Sequence, residues 1–132
     1  MAIIANAEVH RLAEPWSGEI KTGIHQFMTD KPESFGGQDK GPAPYDLICS
    51  GLISCTMITL RIYASHKGIE LGEFSVEADF NANKEGKEWI ERRLSFAQPL
   101  SDELKQKVLE ISSKTPVTKT LLRSLEINTV LV

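Results

Sequence analysis

Cys55 is the side chain best suited to chemistry in this sequence, and Tyr45 and Asp46 stand nine or ten positions before it. A thiolate is a strong nucleophile toward peroxides and disulfides, whereas a buried thiol is inert unless a cation or hydrogen-bond donor offsets its burial. Arg11, Arg92, Arg93 and His25 are the cations that neighbouring strands could supply. Asp46 could orient an arginine or take part in proton transfer, and its plain role is to favour the positive end of a helix. Tyr45 could offer its hydroxyl to a bound oxygen or simply pack at the helix start. Without further information, a free cysteine is most often a small buried hydrophobe.

These residues share one long apolar helical pattern, 45–67, opened by Pro44 and closed by Gly68. Leu47, Ile48, Gly51, Leu52, Cys55, Ile58, Thr59 and Ile62 form a wide stripe, so the helix is expected to be surrounded by protein. Leu52, one turn before Cys55, is the expected apolar wall for a substrate. Cys49 and Cys55 are six positions apart, about 240° around a helix axis, so they are not expected to form a disulfide.

Around this helix the periodicity predicts strands at 2–12, 19–28, 71–81, 89–97 and 124–132. Asn83 to Gly86 reads as a hairpin turn, and 30–44 as a loop. Ser101 caps a second helix, which Pro116 ends. The order β-β-α-β-β-α-β predicts an α+β class in a single domain spanning 1–132.

At 132 residues the chain can bury a core without disulfides. The net charge of −3 and the scattered lysines argue against nucleic acid as a partner. No run of about 18 uncharged apolar residues predicts a membrane span. The apolar opening is too short for a signal peptide, so a cytoplasmic location is expected. There is no zinc spacing among Cys and His, and Gly36-Gly37 lacks a phosphate-cradle pattern. Neither a metal nor a cofactor is expected.

The segment Gly36-Gly-Gln-Asp-Lys-Gly-Pro-Ala-Pro-Tyr-Asp-Leu47, followed by Ser54-Cys55-Thr56, resembles the OsmC/Ohr family. It is closest in pattern to the OsmC-like branch, and the resemblance continues through Glu91-Arg92-Arg93, Leu109-Glu110-Ile111 and Lys114 to Leu121. The resemblance implies an intertwined homodimer, with antiparallel sheets wrapped around long central helices. It also implies hydroperoxide reduction by a peroxidatic cysteine, which maps onto Cys55. The branch carries a resolving cysteine and a histidine where this chain has Thr115 and Thr118. A threonine cannot form a disulfide with a sulfenic acid, so turnover would need an external thiol in a one-cysteine cycle. The alternative is a member that has lost turnover and binds a hydrophobic small molecule in a pocket at the dimer interface. The family's carboxylate falls at Tyr45, with Asp46 one residue later. Its arginine, from the N-terminal region of the partner subunit, has only Arg11 as the nearest candidate.

Overall fold

The computed structural model describes residues 2–132. They form two compact units, one ending at Ile48 and the other spanning Cys49–Val132.

The N-terminal unit is a three-stranded antiparallel meander: β1 (Glu8–Arg11), β2 (Gly18–Thr22) and β3 (His25–Thr29). Ile20 pairs with Val9 on one side and Phe27 on the other, which sets the register. The single strand expected at 19–28 is therefore two strands. The chain reverses at Gly23, whose φ of 58° opens a two-residue turn closed by the Thr22–His25 pair. Ile24 kept the apolar alternation running through this turn, yet it is 94% exposed at its tip. The strand expected at 2–12 pairs only over Glu8–Arg11.

The loop after β3 is organised by Asp30. Its buried carboxylate accepts the backbone N–H groups of Lys31 (2.8 Å), Gln38 (3.1 Å) and Lys40 (3.3 Å). Burial pushes its pKa up, but these bonds and the Lys40 charge outweigh that and hold the carboxyl below its ordinary 3.8. Gly41 lets this loop lie against β3: a Cβ there would stand 1.8 Å from the Met28 carbonyl oxygen.

One helix, α1 (Pro44–Lys67), joins the two units. It starts at Pro44 and ends at Gly68 in the left-handed conformation, close to the bounds read from the sequence. Within the C-terminal unit it buries the edge Leu52, Thr56, Leu60 and Ala64. The opposite side is bare, with Ile58 49% and Ile62 53% exposed. The chain alone therefore does not surround this helix. With 24 residues and a mean hydropathy of 1.6 over its most apolar window, α1 also has the length and composition of a membrane span. The reading of the sequence missed this because Asp46 and Arg61 interrupt the uncharged run.

Strands β4 (Phe74–Ala82) and β5 (Glu88–Phe96) form the expected hairpin. Phe74, Val76, Ala78 and Phe80 stand opposite Phe96, Leu94, Arg92 and Ile90 on the inner face. The Phe74 and Phe96 rings stack at 5.1 Å. Helix α2 (Asp102–Ser112) is capped by Ser101, whose hydroxyl accepts the Leu104 N–H at 3.1 Å. Leu60, Ala64, Leu71 and Val108 are the buried centre of this unit, flanked by Phe74, Leu94 and Phe96.

Two expectations at the C-terminal end fail. Pro116 does not simply stop a helix: it is the first residue of α3 (Pro116–Leu121), with Thr115 as its cap. Thr-Pro is itself a start signal, because proline lacks the N–H that a first turn leaves unused. Residues 124–132 form no strand, and Leu125, Ile127 and Val130 are exposed. Their alternation specifies a face to bury, but pairing also needs a free strand edge, and the described chain offers them none that they use. The class is α+β, with the order β-β-β-α-β-β-α-α.

Candidate active site

Arg92 is placed by strand alternation. Odd positions of β5 face out, so Arg93 forms ion pairs with Glu77 (2.9 Å) and Asp79 (3.0 Å) on the exposed face. Even positions face in, and Arg92 enters an apolar row between Ile90 and Leu94. Ala78 stands directly opposite and leaves room for it.

The guanidinium is held by neutral acceptors. Nη1 donates to Thr56 Oγ1 (2.9 Å) and Thr118 Oγ1 (3.0 Å), and Nη2 donates to the Ser112 carbonyl (2.7 Å). Thr56 donates in turn to the Leu52 carbonyl at 2.8 Å. Thr115 Oγ1 and Thr118 Oγ1 lie 2.6 Å apart, and Thr118 Oγ1 also reaches the Ser112 carbonyl at 3.2 Å. One proton arrangement satisfies these atoms: Thr115 donates to Thr118, and Thr118 donates to Ser112. Thr56 and Thr115 are fully buried.

Cys55 is half-buried beside Thr56, with Sγ 3.9 Å from Thr59 Oγ1. Burial lowers the Arg92 pKa, while the charge of the Cys55 sulfur pulls it back up. Cys49 and Cys55 form no disulfide with each other, as their helical spacing predicts.

Leu52, expected as a substrate wall, is buried and lines an open groove of about 680 Å³. Arg92, Thr118, Phe80, Trp89 and Leu121 line the same groove. Tyr45 and Asp46 belong to the other unit, at the first turn of α1. Tyr45 is 54% exposed. Asp46 accepts the Ala43 N–H at 3.0 Å, the reach-back bond of a helix cap. Arg11 pairs with Glu14, and His25 is exposed; both lie in the N-terminal unit. Among the four cations considered from the sequence, Arg92 is the one that bonds to α1 beside Cys55, through Thr56. The threonine clamp around it was missed. Its signal was an arginine interrupting the inner row Ile90, Leu94, Phe96.

A family model described as OsmC-like protein matches residues 37–130, most of the chain and all of this site. The chain belongs to the OsmC-like family. Solved structures similar to this OsmC-like chain include a Psychrobacter arcticus 273-4 protein ascribed to the osmotic-stress and detoxification response. It is 18% identical, with a TM-score of 0.77, over 91% of this chain and 90% of that one. An OsmC-like protein from Mycoplasma pneumoniae is 22% identical, with a TM-score of 0.75, over 92% and 89% of the two chains. An organic hydroperoxide resistance protein from Legionella pneumophila is 17% identical, with a TM-score of 0.70, over 92% and 90%. At these identities the likeness establishes the OsmC fold. No curated protein matches the chain.

Proposed function

We propose that this OsmC-like protein is a thiol-dependent hydroperoxide reductase using Cys55 in a one-cysteine cycle. The observation that carries the reading is the place of Cys55 on α1 next to Thr56, whose hydroxyl accepts from Arg92, a half-buried cation held by neutral acceptors. A guanidinium without an acidic partner favours a thiolate nearby. The thiolate attacks the outer peroxide oxygen, the O–O bond breaks, and the departing alkoxide takes a proton to become the alcohol. Cys55 is left as a sulfenic acid. Thr115 stands where the family pattern has its second cysteine, and a hydroxyl cannot resolve that acid, so an external thiol must. That an organic hydroperoxide resistance protein is among the similar structures supports the same reading. The groove beside Arg92, with walls at Leu52, Phe80 and Trp89, is apolar enough for an organic ligand, and Cys55 lies outside its lining.

A second reading, binding of a hydrophobic small molecule without turnover, is favoured by the sealed Thr115–Thr118 pair. Brief exposure to cumene hydroperoxide with a sulfenic-acid trap separates the two. Rapid trapping, lost in Cys55→Ser, is the expected result. Trapping no faster than for an ordinary free thiol would leave only the binding reading.

The assembly belongs to this proposal as well. Gly51, Cys55, Ile58 and Ile62 follow the 4-3-4 spacing of a helix–helix seam, and the isoleucines are bare. We take the covering partner to be a second copy of the chain rather than a bilayer, and the compartment to be the reducing cytoplasm, in keeping with two cysteines that are not joined in a disulfide.

A further inference from the structure

Residues of α1, β4, β5 and α3 line one groove of about 680 Å³, a volume in the range of small-molecule sites. On its hairpin side the inner face runs in three steps: Arg92 opposite Ala78, Ile90 opposite Phe80, and Glu88 opposite Ala82. Each step is two strand residues, about 7 Å. A cation, an apolar pair and an anion thus follow one another over about 13 Å. Buried Leu52 and the exposed Leu121 and Leu122 add apolar surface to the same groove.

Arg92 is half-buried, and its bonds leave one edge of the guanidinium unused. Nη1 donates to two threonines, and Nη2 donates once, to the Ser112 carbonyl. Thr118 Oγ1 and the Ser112 oxygen lie 3.2 Å apart, as two acceptors along the Nη1–Nη2 edge do. The other edge, Nε–H with the second Nη2–H, meets no acceptor among the described residues. Two such parallel donors match the two oxygens of a carboxylate.

We propose that this groove binds an apolar monocarboxylate, with its carboxylate on the unused edge of Arg92 and its apolar body against Ile90, Phe80 and Leu121. Glu88 limits the ligand at the far end: a second carboxylate carried there would meet a like charge. The site takes one charge at one end only, and its chemistry is recognition rather than reaction. Cys55 lies outside the lining, so binding here does not depend on turnover of the thiol.

The test uses four eight-carbon probes on the full chain at pH 7 and low salt: octanoate, 1-octanol, octylamine and suberate. Calorimetry gives the affinities, and amide chemical shifts give the place. Octanoate should bind about tenfold more tightly than octanol, with octylamine and suberate weaker than octanoate. Shifts should centre on Phe80, Ile90 and Leu121. Glu88→Gln, at an exposed side chain, should bring suberate closer to octanoate by about threefold or more. Arg92→Lys should weaken octanoate because a point charge replaces the fork, and Arg92→Met should level octanoate with octanol. Absence of octanoate binding at millimolar concentration, octanol binding equally well, or shifts centred elsewhere would overturn the proposal. So would Glu88→Gln leaving the suberate gap unchanged. If Arg92→Met does not fold, the order of the four probes and the Glu88→Gln result decide. The trapping experiment at Cys55 bears on the reductase reading alone, so either can fail without the other.

Discussion

Thr118 makes Arg92 tolerable inside the C-terminal unit. Its hydroxyl accepts from Nη1 and lies within bonding distance of both Thr115 Oγ1 and the Ser112 carbonyl. Thr118→Val keeps the volume but strands a charged donor, so we expect a loss of about 1–3 kcal/mol in urea unfolding. Asp30 supplies a pH test at the same scale. Its folded pKa is lowered, so its contribution is present above the ordinary 3.8 and lost as pH falls through the depressed value. Asp30→Asn should therefore lower the melting temperature at pH 7, with the gap to wild type narrowing at pH 3. Cys55 and Leu52 could be chosen from the sequence because helical spacing marks them. The clamp could not: Thr56, Thr115 and Thr118 read as unremarkable polar residues until the fold brings three elements onto one guanidinium.

At the level of elements, α1 and the β4–β5 hairpin were legible because each carries one clean period over many residues. The meander was misread because Ile24 extends the alternation of β2 across the turn. α3 was missed because proline was taken only as a stop. Gly41 gives an element-scale prediction. Gly41→Ala would press a Cβ into the Met28 carbonyl, and a backbone neighbour cannot swing aside. We expect a loss of about 3 kcal/mol or more, read from thermal unfolding. The bare side of α1 gives another. Ile58→Glu would bury a carboxylate at the proposed seam, and native mass spectrometry should show the dimer replaced by monomer.

For the whole molecule, the family and class were readable: an OsmC-like family model matches residues 37–130, and the class is α+β even though the order of elements differs from the one expected. The fate of 124–132 was not, because alternation names a buried face without naming the edge that takes it. If a second copy supplies that edge, amide exchange at Ile127 and Val130 should slow with rising protein concentration. Arg92 also bears on how the chain reaches this structure. Sliding β5 by two residues against β4 would keep every apolar side chain on the inner face, so hydrophobicity alone barely penalises the slip. It would also set the guanidinium opposite Val76 or Phe80 instead of Ala78, away from Thr56 and Thr118. A single half-buried charge thus acts as an index pin for the hairpin, and its removal should let misregistered chains accumulate during refolding.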